Sequence, residues 1–474
     1  MRVDFYEVII NHILQNSNYS NGVTCEGGKA RAEDNNGNSK RGIASANEET
    51  RGQFMLSDSD VEYIYSDNSN IEPSIRLPAA NEIKKRLEDN WIRFLNTNSA
   101  KLTSLTLAGA TPPSVFVGRY GYPKVKVGPM VPPIHGDTTI LDKPEMWLGK
   151  SIEEIVNYRL SLVRGVADIT VYNTGGKYIE SLQELAMASK SAESEAMFER
   201  RPIADIEQEK DLGESAPFGP VAPLKSFKTS SLTVDKRLEN VYYDKDLRAA
   251  EAVIDLYQKE VEVSRIHRVL SMGMLGVQKN RRLVPTRWSI SATDDIISVS
   301  LIKSIDIYSR VDFFEVYKYS HLGNYYSVIL IPDDVWSFEM QEVWFDNNGN
   351  LGMGVDFEDA NGLDHYPSIA GAYFAARLSV AEHLSKRRMK AAALILREIH
   401  SDYVMPVGVW QIREGIREAL KKENRQFESF ENALSFACMN LSMSRTELIR
   451  NSKIYKNMKE QMRITDFFSD NKNA

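Results

Sequence analysis

Residues 312–332 read DFFEVYKYSHLGNYYSVILIP. Two runs rich in Phe, Tyr, Val and Ile flank His321-Leu322-Gly323-Asn324, and a short Gly-containing break between β-forming runs is the sequence form of a hairpin. A locally paired hairpin argues against a doubly wound, all-parallel sheet. Downstream, AAALILREI (391–399) is a short apolar run that reads as a buried strand, preceded by a helix from Ala370 to Met389. Two or three helices follow to about Met462, one of them opened by the capping box Ser444-Arg445-Thr446-Glu447. Asn347-Asn348-Gly349-Asn350 marks another turn.

Upstream the same mixture continues. QKNRRLVPTRW (278–288) is a basic loop, followed by a helix or strand over Ile290–Ile307, and Asp244–Met274 reads as one long helix. ESAPFGPVAPLKSF (214–227) has the Pro/Gly content of a linker, and the Ala/Ser-rich charged stretch that begins near residue 186 reads as a helix. Ser151-Ile152-Glu153-Glu154 is a capping box, with its helix running to about Arg164. In TPPSVFVGRYGYPKVKVGPMVPP (111–133) two short strands are joined by Gly118 to Pro123. ANEIKKRLEDNWIRFL (80–95) is an amphipathic helix on Ile83, Leu87, Trp91 and Leu95. Residues 4–15 form a short helix, and the polar stretch 16–59 lacks the apolar area to offset the entropy of ordering.

The fold expected is α+β: two mixed domains with hairpins, a helical C-terminal region and a short disordered tail. The divisions are 1–70, a helix plus a polar segment; 71–235; 236–455; and a tail from 456 to 474.

Hydrophobic residues make up 42% and charged residues 26% of 474, as in ordinary globular chains, and no apolar run is long enough to cross a membrane. The N-terminus does not read as a secretory signal, since Asp4 and Glu7 interrupt it. Two cysteines, Cys25 and Cys438, make neither a disulfide framework nor a four-thiolate zinc site, which predicts a reducing, intracellular setting. The net charge of −7 excludes a protein that coats nucleic acid by overall charge, so contact with DNA must come from a local patch or a partner.

The chain closes with KEQMRITDFFSDNKNA. In one short helical turn Ile464, Phe467 and Phe468 form an apolar fork, with the Gln461 amide on its N-terminal side. Two adjacent phenylalanines near a terminus need a cover. One cover is the protein's own core, because Ile454, Met458 and Met462 continue a helical stripe. The other is a partner: Gln-x-x-Ile-x-x-Phe-Phe is similar to the peptide by which proteins dock on the ring-shaped sliding clamp (PCNA) of DNA replication.

With that tail, the segments GATPPSVFVGRYGYPKVKVGPMVPP, LGKSIEEIVNYRLSLVRG, RRLVPTRWSISATDD, VWSFEMQEVW, GAYFAARLSVAEHL and LREIHSDYVMPVGVWQIRE resemble the archaeal Nre family of DNA repair proteins, from about residue 75 to the C-terminus. The resemblance implies a cytoplasmic repair factor that binds the clamp through Gln461, Ile464, Phe467 and Phe468. Many relatives carry a Cys-rich, zinc-binding-like segment near the N-terminus. Here only Cys25 lies there, so zinc is not expected. The resemblance supplies no catalytic mechanism.

Gly149-Lys150-Ser151 lacks the upstream glycine of a phosphate loop and reads as a helix entry. Pro332-Asp333 with Glu339 has the outline of a Mg²⁺-dependent nuclease but no lysine to complete it. Asp356, Glu358, Asp359, Asp364 and His365 read as a solvated acidic loop without calcium-loop spacing. Adjacent carboxylates Asp294 and Asp295 point apart, which argues against one metal held by both. Lys386-Arg387-Arg388 reads as a helix C-terminus, and Cys438 as core. Arg281, Arg282, Arg287 and Trp288, and likewise Arg119, Lys124 and Lys126 beside Tyr120 and Tyr122, have the composition that grips phosphates and stacks on bases; a solvated face with internal salt bridges is the alternative. The primary expectation is a clamp-tethered DNA repair factor. The alternatives are a Mg²⁺-dependent nuclease and, third, a small-molecule enzyme with a coincidental tail.

Overall fold

The computed structural model describes residues 93, 104–202, 219–345, 351–363, 365–400, 402–403 and 406–460. All fall in the unit Ala79–Ala474. The expected helix at 4–15, the polar stretch 16–59, the helix at 80–95 apart from Arg93, the turn Asn347–Asn350, Asp364 and the four tail residues lie outside them.

The first sheet comprises β1 (Thr106–Thr111), β2 (Val115–Val117), β3 (Lys124–Val131), β4 (Val163–Thr170), β5 (Ala192–Phe198) and β6 (Val221–Thr229), in the order β1-β5-β6-β4-β3-β2. The β2–β3 hairpin forms where the alternation predicts it. The helix α1 (Ile152–Leu160) opens on the capping box: Glu154 N donates to Ser151 Oγ (3.2 Å) and Ser151 N to Glu154 Oε2 (2.9 Å). It stops at Leu160, short of the expected Arg164, because Val163, Gly165 and Val166 are buried in β4. A Cβ on Gly128 would lie 1.6 Å from the Gly165 carbonyl, so β3 approaches β4 closely only through glycine.

After α2 (Lys177–Met187) two expectations are corrected. The Ala/Ser-rich stretch is no helix beyond Met187: Ala192, Ser194, Ala196 and Phe198 point inward and alternate with Glu193, Glu195 and Met197, which makes β5. The linker expected at 214–227 becomes β6 from Val221 onward, parallel to β4 and antiparallel to β5. Pro223 has no N–H for the ladder, and the strand accommodates it beside a register irregularity at Met197/Phe198.

Next come α3 (Lys236–Tyr243), α4 (Ala249–Gln258), α5 (Val263–Ser271) and α6 (Thr286–Ile305). The single helix expected over Asp244–Met274 is thus divided. Glu260 takes a left-handed φ of 58°, and Glu260 N and Val261 N donate back to Tyr257 O (2.9 Å) and Leu256 O (3.0 Å). Those two bonds are a Schellman stop made without glycine.

The second sheet holds the hairpin. A two-residue pair, β7 (Ser309–Arg310), precedes β8 (Phe314–His321), β9 (Asn324–Ile331), β10 (Phe338–Phe345) and β11 (Leu351–Glu358). The helix α7 (Gly371–Arg387), β12 (Met389–Lys390), which pairs with β7, β13 (Ala392–Ile399), α8 (Trp410–Lys421), β14 (Arg425–Phe427), α9 (Phe430–Cys438) and α10 (Arg445–Asn451) follow. The sheet order is β11-β10-β13-β9-β8-β14. Leu322 and Gly323 both have positive φ (51° and 69°), as a tight hairpin turn requires. β13 is central, and Ala392 to Glu398 are all buried. Helices cover both faces. Tyr326, Val328, Leu330 and Ile395 pack with Tyr373, Ile412 and Ile416 of α7 and α8. Ile329, Ile331, Leu394 and Leu396 pack with Phe430, Leu434 and Leu448 of α9 and α10. The fold is α+β with a helical C-terminal region.

Candidate nucleic-acid interface

The β2–β3 register leaves residues 118–123 outside the sheet, since Val117 already pairs with Val127. Along β3 the pleat buries Val125 and Val127 and exposes Lys124 and Lys126. Lys126 lies opposite exposed Asp168 in the strand register, and Lys124 opposite Thr170. Three backbone donors draw two distant segments to the hairpin tip. Val171 N donates to Pro123 O (2.9 Å) and Leu283 N to Val171 O (2.8 Å). Val117 N donates to Thr286 Oγ1 (3.0 Å). The hairpin tip, the end of β4 and the basic loop before α6 therefore form one surface.

Rings and cations alternate on it. Half-buried Tyr122 and Trp288 have ring centroids 5.5 Å apart, tilted by 51°. Tyr172 carries the Arg282 guanidinium 5.1 Å above its ring, and Tyr120 carries that of Arg119 at 5.0 Å. Arg119 Nη2 also donates to the Tyr120 hydroxyl at 3.2 Å. Burial raises the pKa of the Tyr122 phenol, nearby Tyr172 raises it further, and Arg282 pulls it back. Arg287 is exposed in the first turn of α6, where the helix dipole favours an anion.

Arg281 belongs elsewhere. It is buried, and its guanidinium donates to Gly276 O (2.7 Å), Tyr242 O (2.8 Å) and Asp244 O (2.6 Å), which anchors the loop from inside. Tyr172 is the residue that sequence reasoning missed. Its one signal is the outward alternation from Asp168 through Thr170, and its arginine comes from a remote segment.

The acidic candidates are held by arginines or by backbone. Asp294 pairs with Arg413 and Asp295 with Arg377, all four side chains buried. Burial pushes the Asp294 carboxyl up against the pull of Arg413. Asp356 and Glu358 correct the expectation of a solvated loop: both are buried in β11. Asp356 accepts from Ser368 N (2.9 Å) and Ile369 N (2.8 Å), and Glu358 from Arg377 (2.7 Å) and Trp336 Nε1 (2.8 Å). Asp359 accepts from Asn361 N (2.8 Å), and His365 stands 3.8 Å from Asp356. Glu339 accepts from Ile454 N (2.9 Å) and Asp333 from Val335 N (2.9 Å), so each serves a backbone end. Among the described residues no three His, Cys, Asp or Glu side chains gather as a metal site. Lys150 pairs with Glu154 in the helix entry. Arg387 does more than end α7, since it clamps Glu315 at 2.5 and 2.8 Å. Cys438 packs against the α9–α10 core, and burial pushes its thiol up to about 12. Among the described residues no helix is long and apolar enough to cross a membrane.

Residues 453–460 are helical, with Ile454 buried and Met458 packed against the same core. Lys459 pairs with Glu431 at 2.9 Å. Gln461, Ile464, Phe467 and Phe468 lie just beyond the described residues.

Two family models match the chain: "Archaeal Nre, N-terminal" over residues 89–348 and "Archaeal Nre, C-terminal" over 358–467. The DNA repair protein NreB of Archaeoglobus fulgidus is 38% identical over 356 residues, 74% of this chain and 89% of that protein. NreA of the same organism, also named a DNA repair protein, is 38% identical over 334 residues, 69% and 83% of the two chains. The DNA repair protein NreA of Haloferax volcanii is 33% identical over 418 residues, 85% and 99%. No solved structure matches the chain.

Proposed function

Because this chain belongs to the archaeal Nre family, we propose that it is a DNA repair factor that docks on the sliding clamp through residues 461–474 and meets DNA through the surface around Tyr122 and Trp288. The repair role is supported by three relatives that all carry that name. The clamp docking rests on one observation, the order Gln461, Ile464, Phe467, Phe468 immediately after a helix whose Ile454 is anchored in the core. The C-terminal family match also runs into this segment, to residue 467.

A peptide that folds onto a partner anchors through a few buried side chains. Each buried Phe or Ile contributes about 1.5–3 kcal/mol. A micromolar interaction totals about 8 kcal/mol, so the three apolar residues supply most of it. The acidic net charge fits this arrangement. Once tethered, the protein sees DNA at high local concentration and needs only modest intrinsic affinity. Co-elution of the full chain with an archaeal sliding clamp tests the docking: the wild type is expected in the clamp peak, and Phe467→Ala/Phe468→Ala outside it. A double variant that still co-elutes would refute the tail as the tether.

A further inference from the structure

The cations of this surface are not spread evenly over the chain. Residues 115–131 carry Arg119, Lys124 and Lys126 with no carboxylate, and residues 278–288 carry Lys279, Arg281, Arg282 and Arg287 with none, in a protein of net charge −7. Apart from buried Arg281, Lys126 facing Asp168 and Arg287 with its own local interactions, they make a concentrated attraction for phosphate.

The rings decide which form of nucleic acid fits. Tyr120 is 60% exposed and Tyr172 is 58% exposed, and each has an arginine above one face. In a duplex the base faces are stacked on one another and only edges and phosphates are offered, so projecting phenol rings gain little. In a single strand every base has an open face, and stacking on aromatics is the sequence-tolerant way to hold it. The Tyr122–Trp288 pair, two backbone bonds and the bond from Val117 N to Thr286 Oγ1 hold the segments that carry these rings, so little conformational freedom is lost on binding.

We propose that this surface binds a single-stranded segment of DNA, with bases stacked on Tyr120 and Tyr172 and phosphates held by Arg119, Lys124 and Arg282. The proposal rests on the reading that the protein meets DNA at this surface, and it names the form of DNA.

The test is fluorescence anisotropy with the full chain, a labelled single strand of about 20 nucleotides and the duplex of the same length. Wild type is expected to bind the single strand more tightly. Tyr120→Ala/Tyr172→Ala, at exposed sites the fold does not need, should weaken single-strand binding by roughly ten-fold or more and leave duplex binding unchanged. Tyr120→Phe/Tyr172→Phe should restore it, because stacking needs the ring and not the hydroxyl. Lys124→Ala should weaken both and flatten the salt dependence. Duplex bound as tightly as single strand, or an alanine variant as tight as wild type, overturns the stacking while DNA contact stands. Binding to neither DNA overturns DNA contact at this surface as well, whereas clamp docking is read separately from the tail variant.

Discussion

Trp288, in the first turn of α6, packs its indole 5.5 Å from the ring of Tyr122, which sits in the β2–β3 turn. That contact joins the turn of the first sheet to the helix that packs against α7. Trp288→Ala should cost roughly 2 kcal/mol from lost packing and the lost ring pair, and Trp288→Phe much less. Urea denaturation of the two variants measures this. Equal stability of Trp288→Ala and wild type would mean the pair is not a structural joint.

Arg281 and Arg282 are adjacent and have opposite work. Arg281→Ala removes the charged donor from the buried Gly276 carbonyl and from the more accessible carbonyls of Tyr242 and Asp244, and should lower stability by about 1–3 kcal/mol. Arg282→Ala should leave the melting temperature unchanged and weaken DNA binding. Melting curves and anisotropy on both variants check the division, which is contradicted if the two behave alike.

The α6–α7 contact contains a buried ion group, with Arg377 between Asp295 and Glu358. Removing the cation leaves two carboxylates in the interior without compensation. Arg377→Ala should therefore lose about 3–5 kcal/mol and recover poorly as soluble protein. A soluble Arg377→Ala protein with wild-type stability would show that water reaches the group.

Stability should also fall on mild acidification. His383 lies against Arg387, Lys386, Glu315 and Tyr317; burial, then Arg387, push its pKa down to about 4. Partial burial and the nearby Arg268 and Arg413 shift His267 the same way. Between the unfolded value of about 6.5 and the folded one, the unfolded chain binds more protons. The contribution is therefore present above pH 6.5 and is lost as pH falls toward 4. Melting temperature followed from pH 7 to pH 5 should drop, and His383→Gln should drop less. A pH profile that does not change in the variant would count against the assignment.

The hairpin β8–β9, the capping box at Ser151 and the buried strand β13 were legible because each signal is local: a turn, a four-residue pair, an apolar run. The strands β5 and β6 were not. Small Ala and Ser residues disguised the two-residue alternation of β5, and Pro223 gave β6 the composition of a linker. β10 was hidden for another reason. Its Glu339 and Gln341 are buried, and the backbone groups that pair with them, Ile454 N and Leu448 O, come from the end of the chain. At the interface, composition singled out both basic–aromatic segments. It did not reveal that they meet, that Tyr172 completes them, or that Arg281 faces inward, since all three depend on contacts between remote segments.

The central claim is the tether, and calorimetric titration of the full-length protein into an archaeal sliding clamp tests it most directly. Micromolar or tighter binding is expected for the wild type, with no measurable heat for Phe467→Ala/Phe468→Ala and unchanged stability of that variant. No binding by the wild type, or a marked loss of stability in the variant, would mean that the two phenylalanines cover the protein's own core and that the clamp is not its partner.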